Sequence, residues 1–375
     1  MLRFLTAGES HGAALIAILE GLPAGIPIDA AHLSHEMRRR QLGYGRGPRM
    51  QFEPDAIELL SGIRHGKTLG SPITLMIRNK DTSIDRLPVV TQPRPGHADL
   101  TGAMKYDHRD VRNVLERASA RETAARVAVG AVCRQLLTQL GIELASHVVA
   151  LGSTVAKRPS QASVAMVRRK AEPTPLRCLD PQATRRMIAE IDACVKAGDT
   201  LGGVFEVLAE GAPPGLGSHV HYDRRLDAIL GRAILSIHAV KAVEIGDGVL
   251  GASLAGSKVQ DEIFYSKARG FSRSSNRAGG FEGGMTTGQP IVVRGFLKPL
   301  STLRKPLRSV EINTKRAVVA TVERTDVTTV PAAGVIGEAM IAFELARAFL
   351  EKFGGDSLRE LQRNYRGYLQ QIKQF

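Results

Sequence analysis

The hydrophobic positions follow two rhythms. Residues 2–6 alternate, and Ala13 to Leu19 is an unbroken apolar run of strand length that stops at Gly21-Leu22-Pro23; both read as strands. His32 to Arg40 has helical spacing and ends in three consecutive arginines. Ile73 to Ile77 is another β-rich run, closed by Arg78-Asn79-Lys80-Asp81. Asp110 to Leu140 holds the strongest helical signal, and its inner part, Ala118 to Val132, is crowded with alanine, valine and glycine. Small residues let helices approach closely, so this helix is expected in the interior. A second of the same character follows Pro331, from Ala332 to about Phe353. Residues 201–207, 241–246, 289–296 and 315–322 read as strands. The basic stretch 154–200 reads as periphery with helical patches, and 356–375 as a surface helix.

Long helices and many strands without a regular βαβ rhythm predict an α+β fold with antiparallel sheets, not a doubly wound sheet. No repeat, low-complexity block or linker divides the chain, so 1–375 reads as one domain with a peripheral tail at 356–375. At 43% hydrophobic residues the chain can bury a substantial core. No run of 18 residues is free of charge, which argues against a spanning helix. Cys133, Cys178 and Cys194 are odd in number and lack CxxC spacing, and they read as reduced thiols of a cytoplasmic protein.

Lys+Arg 51 against Asp+Glu 37 leaves a net charge of +14. That excess predicts an anionic partner. Aromatic content of 5% with no tryptophan leaves little to stack bases on, and the basic loops carry glycine instead. Nucleic acid is therefore a poor partner, and a small anionic metabolite a better one.

Two histidines sit in unusual settings. His11 lies in Gly8-Glu9-Ser10-His11-Gly12, and His97 in Pro93-Arg94-Pro95-Gly96-His97-Ala98-Asp99. Glycine lets a ligand approach the backbone, and imidazole exchanges a proton near neutral pH. Both read as acid–base groups, with Ser10 as a partner for His11 and Asp99 as an orienter of His97; the bland alternative is a turn histidine bonded to backbone. Arg38-Arg39-Arg40 with Arg46 and Arg49 is either a solvated helix end or a set of guanidinium clamps. Arg117 and Arg121, four apart, would share a face of a continuous helix, where Glu116 and Glu122 could simply pair with them. The glycine loop 276–285, followed by Lys298-Pro299-Leu300-Ser301-Thr302, suits a phosphate or a flat heterocycle. Arg324-Thr325-Asp326 is either a helix cap or a base beside a cation. His219 and His221 form a possible metal pair, but no acidic or cysteine cluster supports them.

Taken in order, these segments resemble the chorismate synthase family from residue 1 to about 352. The resemblance rests on Gly-Glu-Ser-His-Gly at 8–12, the Arg-Gln-x-Gly-x-Gly-Arg loop at 40–46 and Arg-Pro-Gly-His-Ala-Asp at 94–99. It continues through Arg-Ala-Ser-Ala-Arg-Glu-Thr at 117–123, Ala-Val-Lys-Ala-Val-Glu-Ile-Gly-Asp-Gly at 239–248, the loop at 279–285 and Arg-x-Asp at 324–326. It implies a β-α-β sandwich, with antiparallel sheets around central helices, usually assembled as a homotetramer. The implied reaction is anti-1,4-elimination of phosphate from 5-enolpyruvylshikimate 3-phosphate to give chorismate. It depends on reduced FMN, with NADPH as a possible reductant.

Carried over residue by residue, the resemblance implies FMN contacts at Arg117, Ala118, Ser119, His238, Ala239, Gly283, Lys298, Pro299, Leu300, Ser301, Thr302 and Arg324. It places NADPH contacts at Arg40 and Arg46, and substrate contacts at Ser10, Arg46, Arg49 and Arg121. His11 resembles the acid assisting phosphate departure, and His97 the histidine that keeps the reduced flavin suitably protonated. Asp326 resembles the carboxylate that relays the C6 proton through flavin N5. No metal is implied. Thr325 and Leu300 depart from the family pattern without removing a charge or a proton carrier, so they are expected to alter packing only. Substrate and cofactor together carry roughly six negative charges, which gives the arginine clusters a reason to converge.

Overall fold

A computed structural model describes residues 1–47, 55–159, 162–268, 270–323 and 326–375. A four-stranded antiparallel sheet runs in the order Arg3–Ala7, Ala14–Glu20, Ile73–Arg78, Glu58–Leu59. Its register sets Leu5 opposite Ile18 and Ala17 opposite Leu75. The alternation turns Leu15, Ala17, Leu19, Ile73, Leu75 and Ile77 inward, where all are buried. A five-stranded antiparallel sheet runs Val240–Ile245, Ile291–Leu297, Gly203–Glu210, Glu143–Leu151, Thr154–Val155.

Between the sheets lie the helices Thr123–Thr138 and Val330–Phe353. The first packs on the strands Ala14–Glu20 and Ile73–Arg78; the second packs on Glu143–Leu151 and Gly203–Glu210. The second also reaches the first sheet, where the Phe343 ring meets Phe4 edge-on at 4.7 Å. The fold is thus α+β, with two antiparallel sheets enclosing a helical layer. Small residues make the close crossing possible: a Cβ added at Gly130 would fall 2.4 Å from the Ala339 Cα. Likewise a Cβ at Gly337 would strike the Phe205 ring at 2.6 Å.

Three expectations need correction. The segment 110–140 is not one helix. It forms Arg112–Leu115, a 3-10 turn at Ala120–Glu122, and then Thr123–Thr138. Ser119 breaks it with an extended backbone, and its hydroxyl accepts from the Arg121 amide at 3.3 Å. The stretch 154–200 is less peripheral than its polarity suggested. The helix Val164–Lys170 buries Val164 and Val167 with Ala145 and Leu208 of the five-stranded sheet. The helix Pro181–Ala197, capped by Asp180 and ended by Gly198 in the left-handed region, adds Ala183, Met187 and Ile191 to the main core. Of 315–322, Ala317–Val319 is strand and pairs with Arg308–Val310. The tail forms the helix Leu358–Lys373, which buries Leu361 and sets Tyr365 against Phe349 at 4.8 Å.

A buried ion network ties these layers together. Glu338, fully buried, accepts from Arg39 Nη2 at 2.7 Å, from Arg134 and from the Ser146 hydroxyl at 2.6 Å. Arg39 also donates to Glu36 at 2.7 Å and Glu172 at 2.8 Å. Burial opposes the Glu338 charge, but Arg39 and Arg134 outweigh it and hold the carboxyl well below the usual range.

Gly130→Ala is expected to cost about 3 kcal/mol, because its contact is with helix backbone that cannot step aside. Gly231→Ala, with open space around its added Cβ, is expected to gain about 0.5–1 kcal/mol from helix propensity. Urea unfolding of both variants checks the contrast.

Candidate active site

At one end of the helical layer lies a cavity of about 600 Å³. Its walls bring together Ser10, His11, Arg40, Arg46, His97, Ala118, Ser119, Arg121, His238, Ala239, Lys298, Leu300, Ser301, Thr302 and Asp326. Segments far apart in the chain therefore converge, and both glycine-flanked histidines face the same space. Thr123, at the start of one central helix, and Thr329, Ala332 and Ala333, at the start of the other, complete the wall. Two helix N-termini therefore present positive dipole ends to the cavity.

His11 sits on the turn between the strands Arg3–Ala7 and Ala14–Glu20. Its backbone amide donates to Glu116 Oε2 at 3.0 Å, and its Nδ1 lies 2.8 Å from the same oxygen. A carboxylate only accepts, so Nδ1 carries the proton and Nε2 is the nitrogen left to exchange. Burial works against charge on Glu116, yet the bonds from His11 and from Arg112, at 3.1 Å, outweigh it and lower its pKa. Sequence reasoning missed this role, having matched Glu116 with the neighbouring arginines.

His97 follows the same logic with the partner expected. Its Nδ1 lies 2.5 Å from Asp99 Oδ1, and Arg94 Nε donates to Asp99 Oδ2 at 2.8 Å. Burial resists the Asp99 charge, but the bonds from His97 and Arg94 hold its carboxyl far below the usual range. Arg94 also donates to the Thr302 hydroxyl at 2.8 Å, while Lys298 Nζ and the Ser301 hydroxyl donate to the Gly96 carbonyl, both at 3.0 Å. Gly96 adopts φ 78°, and a Cβ there would meet Lys298 Nζ at 3.3 Å. The 93–98 loop and the 298–302 segment are thus one unit.

The cations are organised, not solvated. Arg39 enters the core network, whereas Arg40 turns into the cavity wall at 4% exposure. Arg40 Nη2 lies 3.0 Å from Asp55 Oδ2, and Arg121 donates to the other oxygen of the same carboxylate. Burial, with Arg121 and Arg46 nearby, lowers the Arg40 pKa to about 10 despite Asp55. Arg46 pairs with Asp326 at 2.9 Å, and the Gly47 amide donates to Asp326 at 2.5 Å. Burial also lowers the pKa of His238 and of Lys298.

Other expected residues fall elsewhere. Because Ser119 breaks the helix, Arg117 and Arg121 do not share a face. Arg117 donates to the carbonyls of Thr6 and Gly8 at 2.9 and 3.0 Å, bracing the histidine turn from behind. Gly283 lies on the hairpin Phe281–Glu282/Met285–Thr286, next to His219 and docked on the start of the helix Leu226–Leu235. Neither Arg117, Gly283 nor Pro299 belongs to the cavity wall. Arg49, Arg324 and Thr325 lie outside the described residues. His221 is exposed and pairs with Asp223 at 2.7 Å.

A bound anion suits this donor set. Among the described residues, Arg40 Nε and His238 Nδ1 are buried without a hydrogen-bond partner, next to two helix N-termini. Such atoms are costly unless a ligand answers them. The fold is a β-α-β sandwich, and its cavity sets two carboxylate-oriented histidines among buried cations, as an enzyme acting on a small anion would require.

The family model described as chorismate synthase matches residues 2–350. A chorismate synthase of Symbiobacterium thermophilum is 57% identical over 99% of each chain. One of Desulforudis audaxviator is 56% identical, covering all of this chain and 98% of its own. A solved chorismate synthase structure superposes with a TM-score of 0.83 at 45% identity, over 100% of this chain and 99% of that one. The chain belongs to the chorismate synthase family. It is a carbon–oxygen lyase of the final shikimate step, which removes phosphate from 5-enolpyruvylshikimate 3-phosphate to give chorismate. The family carries a flavin cofactor.

The Glu116 pKa is lowered from the ordinary 4.5. The contribution of Glu116 to stability is therefore present above 4.5 and is lost as pH falls through the folded value. Glu116→Gln is expected to flatten the acid side of the melting-temperature profile. An unaltered slope below pH 4.5 would contradict the pairing with His11.

Proposed function

We propose that the cavity binds reduced FMN and the substrate together and carries out the elimination with His11, His97 and Asp326. The observation that carries this reading is the convergence of both oriented histidines on one cationic cavity. When bound, reduced FMN would supply the transient electron density that the elimination calls for. The protein supplies orientation, counter-charge and protons.

His11 donates from Nε2 to the leaving phosphate, and Glu116 holds its Nδ1 proton in place. His97, braced by Asp99, keeps the cofactor in the protonation state the reaction needs. Asp326 accepts the C6 proton at a carboxylate oxygen. Arg40, Arg46 and Arg121 take the anionic groups of the substrate, as would Arg49; Ser10 adds a hydroxyl beside His11. Arg40 and Arg46 are also the positions where NADPH would bind as reductant. Ala118, Ser119, His238, Ala239 and the 298–302 segment hold the flavin. Arg117, Gly283 and Arg324 belong to the same proposed set through the family resemblance; Arg117 serves by bracing the turn that carries His11. The chain acts as one domain, as a homotetramer, in the cytoplasm. Among the described residues no helix is long and apolar enough to cross a membrane.

His11→Ala and His97→Ala are each expected to lower turnover by roughly 10–10⁴-fold while FMN still binds. The check is anaerobic phosphate release with chemically reduced FMN. Unchanged rates at saturating cofactor would refute the roles. Adding NADPH in place of the chemical reductant tests whether the chain reduces its own flavin. The elimination needs only priming, so consumption of one NADPH per phosphate would mark a redox enzyme instead.

A further inference from the structure

Behind the arginine wall lies a residue that none of the preceding roles uses. Asp55 is outside the cavity lining, and its side chain is fully buried. One oxygen faces Arg40 Nη2 at 3.0 Å and the other accepts from Arg121 Nη1. The chain of bonds does not stop there. Arg121 Nε donates to Asn79 Oδ1 at 3.0 Å, and Asn79 Nδ2 donates to the carbonyls of Glu9 and Gly12, at 3.0 and 2.8 Å. Those two carbonyls bracket the turn that carries His11. Arg40, Asp55, Arg121, Asn79 and the histidine turn therefore form one continuous rack, each member contributed by a different part of the chain.

Two guanidinium groups buried side by side repel each other, and a shared carboxylate lets them stay close. The same carboxylate competes with any incoming anion for the guanidinium donors and subtracts one charge from the field in the cavity. We infer that Asp55 is a positioning residue and built-in counter-ion: it sets Arg40 and Arg121 relative to His11, and it limits how tightly the cavity holds phosphate. The second part matters for an enzyme that must release phosphate at every turnover, since a cavity with uncompensated guanidiniums would retain its product. The inference rests on the proposal that this cavity is the anion site.

Inorganic phosphate, the product, is the probe. In Asp55→Asn the carboxylate charge is gone and the shape is kept. Phosphate is expected to inhibit this variant at about 3–10-fold lower concentration than the parent. It should also raise the variant's melting temperature by more than the parent's. Without phosphate the variant should melt lower, and its kcat should fall at least 10-fold with KM unchanged or reduced. A purely structural role would lower the melting temperature and leave the phosphate response as in the parent. Equal or weaker phosphate binding by Asp55→Asn overturns the inference. Asp55→Glu keeps the charge and is expected to restore the parent's phosphate response; a response tighter than the parent's would count against it, and decides the matter if Asp55→Asn does not fold. If phosphate neither inhibits nor stabilises the parent, the reading of the cavity as the anion site fails, and this inference fails with it. If the parent responds and Asp55→Asn responds identically, the inference alone fails.

Discussion

A fully buried carboxylate, Glu338, organises the helical layer. Alone in the core it would be prohibitive, and it is tolerated because Arg39, Arg134 and Ser146 all donate to it. Those partners come from the helix Ala30–Gln41, the helix Thr123–Thr138 and the strand Glu143–Leu151. Losing one partner of such a network typically costs about 3–5 kcal/mol, because the remaining charge is left unanswered. The helix Ala30–Gln41 is therefore locked in azimuth as well as position. Successive residues on a helix point about 100° apart. Locking Arg39 into the core consequently directs Arg40 at the cavity. The core's charge balance sets the geometry of the site.

The cavity has the opposite electrostatic character. Around Glu338 every charge has its answer inside the protein. In the cavity, Arg40, Arg46, Arg121 and Lys298 gather with two helix N-termini; Asp55 faces Arg40 and Arg121 and Asp326 pairs with Arg46, while Arg40 Nε and His238 Nδ1 are buried without a hydrogen-bond partner among the described residues. The lowered pKa values of Arg40 and Lys298 express the same cost of crowding and burying cations. On the proposed reading, a polyanionic substrate and a phosphorylated cofactor would relieve that cost, which would thereby contribute to binding energy directed at the reacting groups.

How much of this was legible in the sequence follows from what each signal measures. Strand and helix positions came through because the apolar period reports which face is buried: Ala14–Glu20, Ile73–Arg78 and Val330–Phe353 all lie within two residues of their expected limits. The break at Ser119 did not come through, because a serine hydroxyl that caps Arg121 looks the same in sequence as one on a helix surface. The stretch 154–200 misled for a similar reason. Its packing rests on scattered residues such as Val164, Val167, Leu176, Met187 and Ile191, while composition averages over the polar remainder. At the site, glycine context identified His11 and His97, since an unusual backbone setting is a local property. Asp99 was found because it lies two residues from its histidine. Glu116, 105 residues from His11, and Asp55, 66 from Arg121, were not found, because pairing across the fold leaves no mark in spacing. Arg117 shows the converse: a conspicuous motif position whose side chain lies outside the cavity wall and braces the turn that carries His11.

The two histidines are built alike, yet their surroundings differ. Each has a carboxylate on Nδ1, which fixes the tautomer and leaves Nε2 as the proton-exchanging atom. Their second neighbours differ. Glu116 binds the His11 backbone amide as well as the ring, Arg112 ties Glu116 to Glu323 at 3.3 Å, and Asp81 Oδ2 lies 3.9 Å from the ring's Nε2. His97 shares its carboxylate with Arg94, whose Nη2 lies 3.1 Å from the ring nitrogen, and Arg94 in turn anchors Thr302. That guanidinium ties the ring's position to the 298–302 segment. The shared Nδ1 carboxylate holds both rings alike, and it is the Arg94 guanidinium beside one and the Asp81 carboxylate opposite the other that set the two apart.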